Sequence, residues 1–495
     1  MPEVPYHKLF IGGEWVDSKS GETFEDRNPA DTGDIIGVFA KAGPEDVRAA
    51  VDAAEEAFPK WSAIPAPQRA RVLFRTVRIL QERKEELAKL MAREMGKQLS
   101  ECRGDVQEAI DIFEYCAGEG RRMFGRTTTS ELREKFAMSI RKPIGVCALV
   151  TPWNFPLAIP SWKAAPALVA GNTVVMKPAS DTPLMALKLA EVLVEAGLPK
   201  GVMNLVFGPG VTTGKELVLN RKVRCVSFTG HRDTGTWIAG EAGKQLKRVS
   251  LELGSKNPII VMDDADLDLA VKGITWGAFG TTGQRCTAAS RVIVTRKVRK
   301  ALERKLIAAA RRIRVGPALE GGEMGPLINE RQLQKVAKYV EIGRQEGARL
   351  VLGGEIAREG RLARGFFYRP TIFTEVDGSM RIAQEEIFGP VLSIIPCKSL
   401  DDAIEIANSV EYGLSTSIYT RDINNAFRAI ERLEAGITYV NAPTIGAEVH
   451  LPFGGVKASG YGREAGWTAI EEFTEEKAVY VDYSGKLQRA QIDIG

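Results

Sequence analysis

Residues 144–150 read Ile144-Gly145-Val146-Cys147-Ala148-Leu149-Val150, and further apolar runs follow at Thr173–Met176, Val202–Val206, Val223–Phe228 and Leu246–Ser250, alternating with helical stretches such as Leu184–Ala196. Short apolar runs alternating with helix-length segments are what a parallel sheet covered by helices requires. The alternation predicts βα units and a nucleotide-binding architecture, with ligands held where strand ends meet helix starts. Upstream, Leu73, Val77, Leu80, Leu87, Leu90 and Met91 recur at three- and four-residue spacing, so residues 67 to 123 read as a helical layer. Residues 1 to 60 mix turns (Ile11-Gly12-Gly13, Asn28-Pro29, Gly43-Pro44) with a helix start at Pro44-Glu45-Asp46.

A second α/β region begins at about Asn257, with a helix start at Asp263-Asp264-Ala265-Asp266 and a cysteine-bearing turn near 283 to 287. It continues to about residue 440. The alternating tail Ala478-Val479-Tyr480-Val481-Asp482-Tyr483 has strand character, cannot bury itself, and needs a partner strand.

The 495 residues carry 67 Lys plus Arg against 63 Asp plus Glu, a net charge of +4, and 44% are hydrophobic. This is the balance of a large globular protein with no global attraction for nucleic acid. The basic stretch Arg291 to Arg314 reads as the solvated face of a helix from about Val298 to Arg312. The N-terminus Met1 to Lys8 lacks a signal-peptide core and no run of about 18 apolar residues occurs, so a cytoplasmic protein with no membrane partner is expected. The 6 cysteines form no C-x-x-C pair and are expected as reduced thiols, mostly in the core. With only 3 histidines, His7, His231 and His450, neither a metal site nor a Ser-His-Asp triad is well supplied.

Three segments carry chemistry. Gly208-Pro209-Gly210-Val211-Thr212-Thr213-Gly214 looks like a dinucleotide turn, but it follows the wrong strand of the unit and reads equally as a plain turn. Phe228-Thr229-Gly230-His231-Arg232-Asp233-Thr234-Gly235 is better placed, directly after a strand and opening a helix whose N–H groups could face a diphosphate. Gly280-Thr281-Thr282-Gly283-Gln284-Arg285-Cys286-Thr287 sets a cysteine beside an arginine, electropositive surroundings of the kind that favour thiolate, although alone it reads as well as a buried core thiol. Glu252 could serve it as a base and Asn154 as an oxyanion donor.

From about residue 8 to the C-terminus the chain resembles the NAD(P)-dependent aldehyde dehydrogenase superfamily. Pro152-Trp153-Asn154-Phe155-Pro156, Lys177-Pro178, Gly230 to Gly235, Glu252-Leu253-Gly254, Gly283-Gln284-Arg285-Cys286, Glu385-Glu386-Ile387-Phe388-Gly389-Pro390 and Pro452-Phe453-Gly454-Gly455 stand in that family's order. The resemblance implies an α/β fold in three parts. These are a Rossmann-like dinucleotide-binding domain (1–120 and 143–253), an α/β catalytic domain (254–454), and a small β oligomerisation element with the C-terminal tail (121–142 and 455–495).

It further implies that Cys286 is the nucleophile, that Asn154 and the Cys286 N–H hold the oxyanion, and that Glu252 activates water against a thioester. NADP or NAD would be held by Lys177, Ser180, Trp153, Gly208, Gly230, Gly235, Glu386 and Phe388. Two positions depart from the pattern: His231 replaces a small hydroxyl residue in the phosphate loop, and Ser180 stands where NAD-preferring members carry Glu. Ser180 leads to the expectation that NADP+ is accepted. The Cys286-Thr287 pairing and the loop Asn441 to His450 look most like members that oxidise semialdehydes such as 2-oxoglutarate semialdehyde. The distal carboxylate would be held by Arg285 or His450, between walls of Phe155, Trp162 and Phe453. A broad-specificity aliphatic or aromatic aldehyde dehydrogenase is the alternative. A CoA-acylating enzyme is disfavoured by Glu252, and a cofactor-free esterase or a non-enzymatic role by the full constellation. A homodimer or homotetramer is expected.

Overall fold

Arg248–Glu252, Val223–Thr229, Val146–Val150, Thr173–Lys177 and Met203–Leu205 lie side by side, in that order, as parallel strands. They form the centre of an eight-stranded sheet in a computed structural model that describes residues 4–493. Residues 1–3, part of the N-terminal stretch discussed above, and 494–495 lie outside the described residues. Val146–Val150 and Thr173–Lys177 are buried at every position, as strands covered on both faces must be. The register pairs Val150 with Lys177, Phe228 with Val150, and Thr229 with Glu252, so these ends share one edge of the sheet.

The last apolar run starts two residues later than expected. Leu246 is 95% exposed with φ of 53°, because it sits in the left-handed turn that closes the helix Arg232–Gly243. The N-terminal turns also hide strands: Leu9–Ile11 and Glu14–Val16 form a hairpin across Gly12-Gly13 and extend the sheet antiparallel to Met203–Leu205. Three-residue strands are too short to display an alternation. Gly460–Tyr461 closes the other edge against Arg248–Glu252.

The helical layer comprises Ala66–Glu82, Lys84–Glu94 and Leu99–Glu119. Leu73, Leu80, Leu87 and Met91 are fully buried in it, each contributing about 1.5–3 kcal/mol of apolar burial. Leu99–Glu119 packs on Ala66–Glu82 and on Ala158–Ala170, the helix that follows Val146–Val150.

A second, seven-stranded sheet runs in the order Arg349–Leu352, Thr371–Thr374, Val391–Cys397, Ala289–Thr295, Asn257–Val261, Ser415–Tyr419, Ile437–Val440. The basic stretch departs from the expectation at Arg291, which lies fully buried in the strand Ala289–Thr295 and donates to the carbonyls of Lys256, Ile406 and Ala407; beyond it the helix Arg296–Arg311 buries only Leu302, Leu306 and Ala310 and leaves its cations at the surface. The tail strand Thr474–Asp482 pairs antiparallel over its full length with Lys135–Pro143 of the same chain, which pairs in turn with Thr127–Thr129. Among the described residues no helix is long and apolar enough to cross a membrane. All six cysteines are free thiols, five of them buried and Cys286 partly so.

Candidate active site

The cysteine loop is assembled by backbone strain and by amide clamps. Thr281, Thr282 and Gly283 all have positive φ, at 49°, 58° and 68°. A Cβ on Gly283 would lie 2.2 Å from the Gly389 carbonyl oxygen, so only glycine lets the loop press against the Gly389-Pro390 turn. Such strain persists where the surroundings over-determine it. Gln284, fully buried, donates from Nε2 to the carbonyls of Thr281 and Pro326 and accepts at Oε1 from the Ile328 N–H. Asn257 Nδ2 donates to the carbonyls of Cys286 and Ala288 at 2.7 and 2.9 Å, and Asn154 Nδ2 donates to the Gln284 carbonyl at 3.1 Å. Asn257 and Gln284 were not singled out from the sequence; the only signal was their adjacency to the Glu252 and Cys286 motifs.

Cys286 borders two spaces. On one side a tunnel of about 590 Å³ is lined by Phe155, Trp162, Phe453, Glu252 and Arg285. Trp162 and Phe453 meet edge to face at 5.2 Å. On the other side a space of about 700 Å³ is lined by Trp153, Asn154, Gly230, Glu386 and Phe388. It adjoins a cleft of about 1190 Å³ with Lys177, Ser180, His231 and Arg331, and Thr229 borders all three.

The electrostatics correct the expectation for the cysteine. Burial, reinforced by Glu252, Glu386 and Glu464, pushes the Cys286 thiol up to about 12, so its surroundings disfavour the thiolate. Arg285 does not offset this, because its guanidinium is held by Glu101 at 2.8 Å and by the Thr281 hydroxyl. Glu252 is buried with neither oxygen hydrogen-bonded, and burial with the nearby Glu464 holds it well above the usual carboxylate range. Glu464 is itself ion-paired to Lys163.

A second expectation is corrected at the distal end of the tunnel. Arg285 borders it with its charge already engaged. His450 does not line it: its ring is 57% exposed and lies 3.5 Å from Glu448.

The cleft beyond sits at the strand ends and fits a dinucleotide. The hydroxyls of Thr151 and Thr229 are buried there without a partner. His231 Nδ1 accepts from the Asp233 N–H at 3.2 Å, so the imidazole caps the helix Arg232–Gly243 as a small hydroxyl would. Lys177 is lowered to about 8 by burial and donates to the Pro178 carbonyl at 2.7 Å. Glu386 accepts from the Ser255 N–H at 2.9 Å, and Trp153 meets Phe388 edge to face at 5.4 Å.

Three glycines serve different ends. Gly230 lines the cleft, whereas Gly208 and Gly235 do not. Gly208 accepts at its carbonyl from the Ser180 hydroxyl, and a Cβ on Gly235 would lie 2.5 Å from Leu253, so it keeps helix and strand in contact.

Residues 15–479 match the Aldehyde dehydrogenase family. The chain belongs to that family. It is 44% identical over 474 residues to an alpha-ketoglutaric semialdehyde dehydrogenase of Bacillus subtilis, covering 95% of this chain and 97% of that one. It is 42% identical over 471 residues to an NADP(+) succinate-semialdehyde dehydrogenase of Escherichia coli, covering 95% and 96%. The structure superposes on betaine aldehyde dehydrogenase of Staphylococcus aureus in complex with NAD+ with a TM-score of 0.95 at 35% identity, covering 97% and 95% of the two chains. The protein is an NAD(P)-dependent aldehyde dehydrogenase, oxidising an aldehyde to the carboxylic acid.

Proposed function

We propose that the aldehyde is a semialdehyde carrying a distal carboxylate, and that Cys286, Asn154 and Glu252 carry the chemistry. The observation that bears this reading is the position of Cys286 between the apolar tunnel and the dinucleotide cleft. Substrate entering past Phe155, Trp162 and Phe453 meets Sγ from one side. The thiol gives up its proton to water, and Sγ bonds to the aldehyde carbon. The oxyanion accepts from Asn154 Nδ2 and from the Cys286 N–H, donors held in place by the loop clamps. NAD(P)+ bound in the adjoining cleft would supply the hydride acceptor by which the Cys286 thiohemiacetal becomes a thioester. Glu252 then removes a proton from water as it attacks the thioester carbon, and Cys286 leaves as the thiol.

Lys177, Trp153, Glu386 and Phe388 would hold the cofactor, with NADP+ accepted because Ser180 puts no carboxylate in the cleft and Arg331, which makes no ion pair among the described residues, lines it. The semialdehyde assignment draws on the 44% and 42% identities to semialdehyde-oxidising relatives. A broad aldehyde specificity is the second reading, favoured by the engagement of Arg285 with Glu101. Comparing kcat/KM for 2-oxoglutarate semialdehyde, succinic semialdehyde and uncharged aldehydes, each with NAD+ and NADP+, tests both; equal values for charged and uncharged aldehydes select the second. The free thiols fit a cytoplasmic enzyme.

A further inference from the structure

On the helix Leu99–Glu119 three carboxylates recur at positions 101, 105 and 108, spaced to share one face. Two of them are fully engaged. Glu101 accepts from Arg285 and the Thr281 N–H, and Asp105 pairs with Lys97 at 2.6 Å and accepts from the Ala158 N–H. The third, Glu108, borders the tunnel that contains Cys286, and no described residue gives its carboxyl a hydrogen bond or an ion pair. Glu108 is half-buried, and an unpartnered carboxyl in a space walled by Phe155, Trp162 and Phe453 favours its protonated form or a ligand group over a bare charge.

We propose that Glu108 sets the charge selectivity of the aldehyde tunnel. Protonated, it donates a hydrogen bond to the carboxylate of an entering semialdehyde; ionised, it repels that carboxylate. The role deepens the semialdehyde reading, since it concerns how the same tunnel receives an anionic end once the guanidinium of Arg285 is spent on Glu101.

The groups around Glu108 set where this change falls. Asp105 and Asp111 on its own helix disfavour ionisation, while Lys97 and Arg285 favour it; Glu252 and Glu464 line the same tunnel. Tyr439, from the strand Ile437–Val440, faces it from the second sheet together with Glu448 and stays neutral, its hydroxyl raised to about 12 by burial. Burial dominates and lifts Glu108 to about 7. It is therefore neutral on the acid side of neutrality and charged on the alkaline side.

The test is the ratio of kcat/KM for succinic semialdehyde to that for butanal, from about pH 6 to about pH 9, in the parent enzyme and in Glu108→Gln. Ionisation of Cys286 affects both substrates alike and cancels in the ratio, and because Glu108→Gln retains Glu252, only the fall lost in that variant belongs to Glu108. The parent's ratio is expected to fall at least about fivefold across that range, and the ratio in Glu108→Gln to stay flat within about twofold. A flat ratio in the parent overturns the proposal, a measurement that needs no variant; so does a Glu108→Gln enzyme that keeps the parent's fall. The semialdehyde reading fails separately, if the parent prefers butanal even at the acid end while the slope and its loss in Glu108→Gln persist.

Discussion

Arg285 Nη2 lies 2.8 Å from Glu101 Oε1, and the same carboxylate accepts from the Thr281 N–H. This buried pair fastens the strained turn before Cys286 to the helix Leu99–Glu119. The charge next to Cys286 in sequence is thus spent on holding the loop.

Arg285→Ala should accordingly destabilise the enzyme by about 3–5 kcal/mol, because it leaves Glu101 buried and unpaired. At about pH 6, where Glu108 is neutral, the preference for a semialdehyde over an uncharged aldehyde should change by less than about twofold. Denaturant unfolding and kcat/KM for both substrates check this. Unaltered stability with a lost preference would return the guanidinium to the substrate.

For Cys286, raised to about 12, the neutral thiol is the resting form of the cofactor-free enzyme. Alkylation consumes thiolate only, so its rate should climb about tenfold per pH unit from neutrality to about pH 10 without levelling. Timed iodoacetamide labelling of the cofactor-free protein, read by mass at Cys286, measures it. A plateau below about pH 8 would mean that the thiolate is stabilised after all. Cys286→Ala should remove oxidation altogether, since the other five thiols are buried in the core.

Glu252→Gln should separate the two half-reactions. Its amide cannot take a proton from water, so thioester hydrolysis should slow by about 10²–10⁴-fold while the first turnover survives. A burst of reduced cofactor equal to the enzyme concentration, followed by slow turnover, is the expected trace. Equal slowing of burst and steady state would move the base elsewhere.

The central strands were legible because burial on both faces writes itself as an apolar run; Val146–Val150 and Thr173–Lys177 left no other reading. Leu9–Ile11 and Glu14–Val16 were not, since their strand character comes from pairing beside Met203–Leu205. At the site, Cys286, Glu252 and Asn154 came from motif order. The direction of Arg285 could not, because adjacency in the chain says nothing of where a side chain finds its partner. Glu108 was invisible for a related reason: acids spaced along an amphipathic helix look like a solvated stripe until Lys97, Arg285 and the tunnel wall are placed against them.

Ser180 carries the cofactor prediction. Its hydroxyl donates to the Gly208 carbonyl at 3.2 Å and lines the cleft, while the neighbouring Asp181 is occupied by Asn329 at 2.9 Å. Ser180→Glu would place a carboxylate where a 2′-phosphate must sit, and should lower kcat/KM for NADP+ by more than about tenfold while sparing NAD+. Equal losses for both cofactors would show that the residue does not read the 2′ position.

The last prediction concerns the tail sheet. Thr474–Asp482 uses one edge on Lys135–Pro143 and leaves the other edge open, with Tyr480 69%, Val481 47% and Tyr483 68% exposed and Phe136 exposed on the adjacent strand. An open strand edge flanked by aromatic and branched side chains is a template for further pairing unless something covers it. A second copy of this chain is the occupant we expect, giving a dimer or a dimer of dimers. Light scattering at micromolar concentration should return a multiple of the 54.1 kDa chain mass. Tyr480→Pro, at a position whose N–H faces the open edge because that of Tyr483 is given to Glu134 on the paired side, should reduce that mass and leave the core sheet and the Cys286 loop intact. A parent enzyme that scatters as a single chain would refute the assignment.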